Sequence, residues 1–332
     1  MKTLNKQAGI SLVEILVSLV ISLFLLGGIV QVYLGNKTTF AFTNAIAEVQ
    51  ENGRFALDTI SQDLRLAGEW GCIAYDPNDT SNINDTLNAG TVPGYDTDFH
   101  DFLNEEGIEG TNNAGLNGSD TLTVRGGKPG QANIENPFQP ATTQQLITTP
   151  VSNISAGDII LVARCGANDL LIPFEADILR VTSILPFSGN SQRQITLSAN
   201  KSQQFENDAT MFELQTVTYS IAAGANGEPS LFRTEFGNAQ ELVEGVENMQ
   251  ILYGIDSDND QFPNQYVTSN NVADFDDVVA IRVGLLVRSI EDFVAEAPQT
   301  YTFNGVTTTP ADRRIRQVFS TTIALRNRIG SS

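Results

Sequence analysis

The sequence predicts an α+β chain: one long N-terminal helix, then a head built mostly of antiparallel strands. Three observations carry this expectation. An apolar run from Ile15 to Val32 contains no charged residue. From Thr39 to Leu66 the apolar positions recur at steps of three and four. Beyond residue 120 the period shortens to two, in short runs rich in Val, Ile and Thr.

The bulk composition narrows the function classes. The 332 residues are enough for one or two domains with a real core. The net charge is -20, from 39 acidic and 19 basic residues, and no basic stripe is present. That argues against direct nucleic-acid binding, which needs clustered Lys and Arg. With two cysteines and one histidine, the chain offers no zinc spacing. A Ser-His-Asp triad would have to use His100, which sits in "DTDFHDFLNEEG" and reads as a solvated loop side chain. No nucleophile-base pair is evident, so the chain reads as a non-enzyme.

Taking the elements in order, the first helix begins within "KQAGISLVEILVSLV". Its apolar run is long enough to span a bilayer. Lys2 and Lys6 precede it, which predicts a cytoplasmic N-terminus. A cleaved secretory signal would be shorter and end in a small-residue cleavage site, and "QVYLGNKTTF" offers none. A plain anchor gives no reason for Glu14, because a carboxylate at mid-membrane costs roughly 2.5–3.5 kcal/mol.

"KQAG|ISLVE" resembles the class III signal of type IV prepilins. The resemblance implies a leader of residues 1–9, cut by a prepilin peptidase between Gly9 and Ile10, with N-methylation at Ile10. The first mature residue is Ile where that family has Phe. Glu14 is then the fifth mature residue. Its implied role is to pair with the new N-terminal amine, within one chain or between subunits, and so to set register in a bundle.

The helix continues past the membrane. Phe42, Ile46, Val49, Ala56, Ile60 and Leu64 form one face, and Asn44, Glu48, Glu51, Arg54, Asp58 and Gln62 the other. Gly68 is the expected stop. A helix from Ile10 to Leu66 would be roughly 85 Å long. Its expected halves are a transmembrane and filament-core part, 10–35, and an amphipathic part, 36–67. Gly27, Gly28 and Gly35 suit close helix packing in the membrane, or a stretch that unwinds during assembly.

Residues 68–332 form the expected β-rich head. The stretch 76–118 is dense in Asn, Asp, Gly and Thr and reads as a loop-rich insert. Strands are expected in "DTLTVRG", "GDIILVARC", "ADILRVTSIL", "RQITLSA", "MFELQTVTYSI", "SLFRTEF", "ENMQILYGI", "DDVVAIRVGLLVRS" and "RIRQVFSTTIALRNR". The glycine-rich "RGGKPG" at 125–130 follows a strand and opens no helix, so it is not a phosphate loop.

"VQENGRFALDTISQDLRLAG", "LVEGVENMQILYGIDSDND", "DFDDVVAIRVGLLVRS" and "RQVFSTTIALRNR" are similar, in the same order, to blocks of PilW-type minor pilins. That resemblance implies a pilin-like fold and a role in type IV pilus assembly, priming the pilus or forming its tip. The implied partners are other minor pilins, the major pilin, prepilin peptidase, the inner-membrane assembly platform and a tip adhesin. The implied location is the inner membrane, single-pass with a periplasmic head, and then the pilus at the cell surface. Twitching motility and cell adhesion would follow from the pilus. A type II secretion pseudopilin of the J kind shares the stem and is the alternative. A membrane-anchored periplasmic binding module is the third reading, with 76–118 as the binding segment.

An oxidising compartment would allow a disulfide between Cys72 and Cys165. It would tie the stem to the head, with an upper contribution of roughly 4–5 kcal/mol in the chain-entropy view. No cofactor is expected. "DSDNDQFPN" places Asp256, Asp258 and Asp260 at alternate positions, like the start of a calcium loop. Gln261 stands where such a loop has Gly, and Val267 where it has a bidentate Glu. A solvated acidic turn is the preferred reading, with calcium as the alternative.

Overall fold

The computed structural model describes residues 11–71, 83–100, 102, 107–135, 143–151, 153–164, 176–205, 207–258 and 260–325. Helix α1 spans Leu12–Arg65, 54 residues in one unbroken piece, about 80 Å at the ordinary rise. It runs through Gly27, Gly28 and Gly35 without a break, and a Cβ at any of the three would meet nothing within 4 Å. Its first half is exposed on every side, whereas its second half buries Ala45, Val49, Gly53, Ala56, Ile60, Ser61 and Leu64. That is one stripe, as the periodicity requires. Phe42 and Ile46, at the membrane end of the stripe, are only half-buried, and the six polar positions of the opposite face are all exposed. The helix stops where expected: Gly68 is left-handed, with φ +67, and its N–H donates to the Arg125 carbonyl at 3.0 Å.

The head contains β1 (Ile83–Asp85), a single helical turn α2 (Thr97–His100), β2 (Ile108–Thr111), β3 (Thr121–Asn133), β4 (Gln145–Thr148), β5 (Ile159–Arg164), β6 (Ala176–Phe187) and β7 (Gln192–Leu197). It continues through β8 (Ala209–Ala223), β9 (Pro229–Glu235), β10 (Asn238–Glu244), β11 (Val246–Ile255), β12 (Gln265–Val267), β13 (Val278–Arg288), β14 (Tyr301–Phe303), β15 (Val306–Thr308) and β16 (Arg316–Ala324). A ten-stranded sheet runs β10-β9-β8-β5-β6-β7-β4, with β3 along β8, β2 beside β3 and β1 beside β6. A four-stranded sheet has the order β12-β11-β13-β16, and β14 with β15 forms a separate hairpin. Every pairing is antiparallel except β1 with β6.

The main core lies between α1 and the two sheets. Ile60 and Leu64 of the helix join Tyr219, Met249, Ile251, Leu285 and Val287 there. Strand β5 explains its own uninterrupted apolar sequence. Ile159, Leu161 and Ala163 face a core with Trp70 and Phe102, while Ile160 and Val162 face another with Leu179, Ile195 and Phe205. A strand covered on both sides loses its polar alternation.

One expectation is corrected, that of a solvated His100, and two are made more specific. The polar stretch 76–118 is not only loop: its described part supplies β1, α2 and β2, and buries Ile83, Leu87, Val92, Phe102 and Ile108. Widely spaced apolar anchors hold it down, and neither period marks them. His100 is not solvated; it is 6% exposed and stacks between Tyr95 and Phe236, with ring centroids 5.4 Å away on each side. "RGGKPG" lies inside β3. Its glycines let the end of α1 come close: Gly127 N–H donates to Glu69 O at 2.7 Å, and a Cβ on Gly126 would overlap the Leu66 carbonyl.

Candidate functional site

Two features set what the chain can do: the bare stem, which faces outward, and the polar joints that hold the head upon it. At the stem's N-terminus, Ser11 is the extended residue before α1, and its carbonyl accepts from the Glu14 and Ile15 N–H groups at 3.0 and 3.2 Å. Glu14 sits in the first turn, fully within the exposed section. Among the described residues its side chain has no hydrogen bond or ion pair. Leu12 to Leu34 present apolar side chains all round, and the helix is long and apolar enough to cross a membrane. Such a rod is stable only in lipid or against other apolar rods. A lone carboxylate on it requires a cation or a polar neighbour. Gly9 and Ile10 lie outside the described residues.

The joint between stem and head is polar and specific. Asp63 Oδ2 accepts from Tyr219 Oη at 2.6 Å and from Arg233 Nε at 2.9 Å. Arg233 also meets Glu235 at 2.7 Å, and Glu235 meets Lys128 at 2.6 Å. Burial, reinforced by the Asp63 charge, pushes the Tyr219 phenol far up, so it stays a donor. Burial works against the Arg233 charge, but Asp63 and Glu235 outweigh it and hold the guanidinium protonated. Further along the helix, Asn52 Nδ2 donates to the Glu244 carbonyl of β10 at 3.2 Å. A second network closes the four-stranded sheet. Glu228 bridges Arg288 and Arg314 at 2.5 and 3.0 Å, while Arg316 meets Glu247 and Asp312 at 2.6 and 2.7 Å. Hydrogen bonding from Arg316 holds the Asp312 carboxyl down at about 2. Sequence reasoning missed both networks, since their members are far apart in the chain and no short-range signal links them.

The acidic turn after β11 is brought together as the spacing suggested. One oxygen each from Asp256, Asp258 and Asp260 lie within 4.8 Å of one another. Yet the Asp256 carboxylate, 6% exposed, is already occupied by the chain. It accepts from the N–H groups of Asp258 at 3.2 Å, Asp260 at 3.3 Å and Gln261 at 2.7 Å. Asn264 stitches the turn's other side through Ser257 and Asp258. Gln261 has φ +70, the left-handed backbone that Gly takes up at the same place in a calcium loop. Cys72 and Cys165 lie outside the described residues.

Comparison with known families matches both ends of this architecture. The model for the prokaryotic N-terminal methylation motif matches residues 4–30, spanning Gly9, Ile10 and Glu14. The model for PilW, the type IV pilus-assembly protein W, matches residues 218–327, which run from the second half of β8 through β16. No curated protein and no solved structure matches.

Proposed function

We propose that this chain, with its prepilin methylation motif and its PilW segment, is a minor pilin of the type IV pilus. It primes the filament or forms its tip with other minor pilins. Prepilin peptidase removes residues 1–9, and the new N-terminus at Ile10 is methylated. The stem then anchors the chain in the inner membrane with the head in the periplasm, until assembly moves it into the pilus. Glu14 pairs with an N-terminal amine and sets the register of neighbouring stems. Cys72 and Cys165 join in a disulfide that ties the stem's end to the head.

One observation carries the reading. An apolar rod, bare along its first half and bearing there the single anion Glu14, is joined to a head of which residues 218–327 match the PilW model. A rod of this kind needs lipid or other apolar rods around it, and a pilin meets both in turn, the inner membrane before assembly and neighbouring stems after it. The PilW match also favours the pilus over a secretion pseudopilin, which would share only the stem.

Intact-mass measurement of membrane-extracted protein, with and without prepilin peptidase, tests it. The expected result is loss of the nine-residue leader plus one methyl group only when the peptidase is present. A chain left uncut in both strains sinks the prepilin reading and reduces the stem to an ordinary anchor.

A further inference from the structure

Strand β16 is an edge strand of the four-stranded sheet, nine residues long, and nothing among the described residues pairs with its outer side. Its pairing with β13 runs from Arg316 to Ala324 without a bulge. Leu325 N–H donates to Val279 O and Ser289 N–H to Ile315 O, so odd-numbered residues carry the ladder bonds to β13. In an antiparallel ladder the intervening residues turn their N–H and C=O groups the other way. The backbone groups of 316, 318, 320, 322 and 324 therefore face outward.

Natural edges are normally blunted by charge, proline, bulges or shortness. The edge strand β10 of the large sheet follows this rule, with Glu241 and Glu244. Strand β16 does not: "QVFSTTIA" from 317 to 324 has no charge, no proline and several β-branched residues. Val318, Ser320 and Thr322 are exposed.

The charges around the edge are also unusual for a chain of net charge -20. Arg282 is exposed, reaches Thr322 Oγ1 at 3.3 Å and lies over the Tyr266 ring, with no carboxylate partner among the described residues.

We propose that the open edge of β16 receives an extended, carboxylate-bearing strand from a different pilin subunit. Main-chain bonds to 318, 320 and 322 would give affinity, and Arg282 would select for acid. This rests on the assembly role proposed above. A second copy is disfavoured, because edge-to-edge pairing would bring two strongly acidic bodies together and set their Arg282 side chains against each other.

The test compares full-length chain extracted from membranes with the same chain in sheared pili, by hydrogen exchange at 318, 320 and 322. Slowing by about tenfold or more on assembly is expected. Two variants accompany it: Ser320→Pro, which removes an outward N–H and leaves the β13 ladder intact, and Arg282→Glu. Each should lower recovery of the chain in pili by about tenfold while leader removal stays normal. Unchanged exchange with normal recovery of both variants overturns the proposal, as does concentration-dependent protection of the extracted chain alone, which would mean self-pairing. Should Ser320→Pro fail to fold, exchange in the wild-type chain decides. If the wild-type chain never enters pili, the assembly role itself fails and the edge proposal falls with it.

Discussion

Gly53 shows how much a single residue decides. In an exposed helix its replacement by Ala would stabilise by about 1 kcal/mol. Here a Cβ would overlap the Phe319 ring, so the helix and β16 touch only because this side chain is missing. Gly53→Ala is therefore expected to lower head stability by about 1–3 kcal/mol through overpacking. The same change at Gly35, which meets nothing within 4 Å, should leave the head's melting unchanged. A stabilised Gly53→Ala head in denaturant titration would refute the close contact. Lys201 makes a second case. It is 4% exposed, and its Nζ donates to the Gln145 carbonyl at 2.6 Å and Thr143 Oγ1 at 3.0 Å. Burial pushes its amine down to about 8, against the pull of buried Asp177. Between that value and the unfolded one near 10.5 the unfolded chain holds the extra proton. Stability from this site must then rise with pH across that window, by up to about 3 kcal/mol. Lys201→Met should remove that rise, and parallel pH-stability curves for the two proteins would refute it.

At the scale of an element, the acidic turn after β11 is built around Asp256 rather than around three equal carboxylates. Its two oxygens accept from three backbone N–H groups, which is what permits the residue to be buried. Asp256→Asn puts an amide donor against those donors and should cost roughly 1–3 kcal/mol. On the preferred reading of a self-sufficient turn, the wild-type melting midpoint is the same in calcium and in a chelator. A calcium-dependent rise that Asp256→Asn abolishes would make the turn a metal site instead. The helix α1 teaches a complementary lesson. Its stripe and its stop at Gly68 were legible because periodicity and capping are local. The members it lacked were Ala45, Gly53 and Ser61, and the small or polar Gly53 and Ser61 are passed over by an apolar count.

At the scale of the whole molecule, the stem is held by contacts that join residues far apart in sequence. Asp63 meets Tyr219 and Arg233, Gly53 meets Phe319, and the Gly68 N–H meets Arg125. Together they make the amphipathic half of α1 part of the head and leave the apolar half free to enter a membrane or a bundle. The PilW match, 218–327, covers the strands that form much of this joint.

The sequence by itself determined the long helix, its apolar and amphipathic halves, the position of Glu14, and nine strands, β3, β5 to β9, β11, β13 and β16. Each of these follows from spacing along the chain, which the backbone's own periods make readable. Only the tertiary structure decided that His100 is buried, that residues 83–111 add strands to the large sheet, and that β10 is an edge bearing acids. It also decided that, among the described residues, nothing pairs with the outer side of β16, whose uncharged stretch 317–324 lies beside Arg282. These depend on which distant segments come together, and that is set by packing across the whole head rather than by any local pattern.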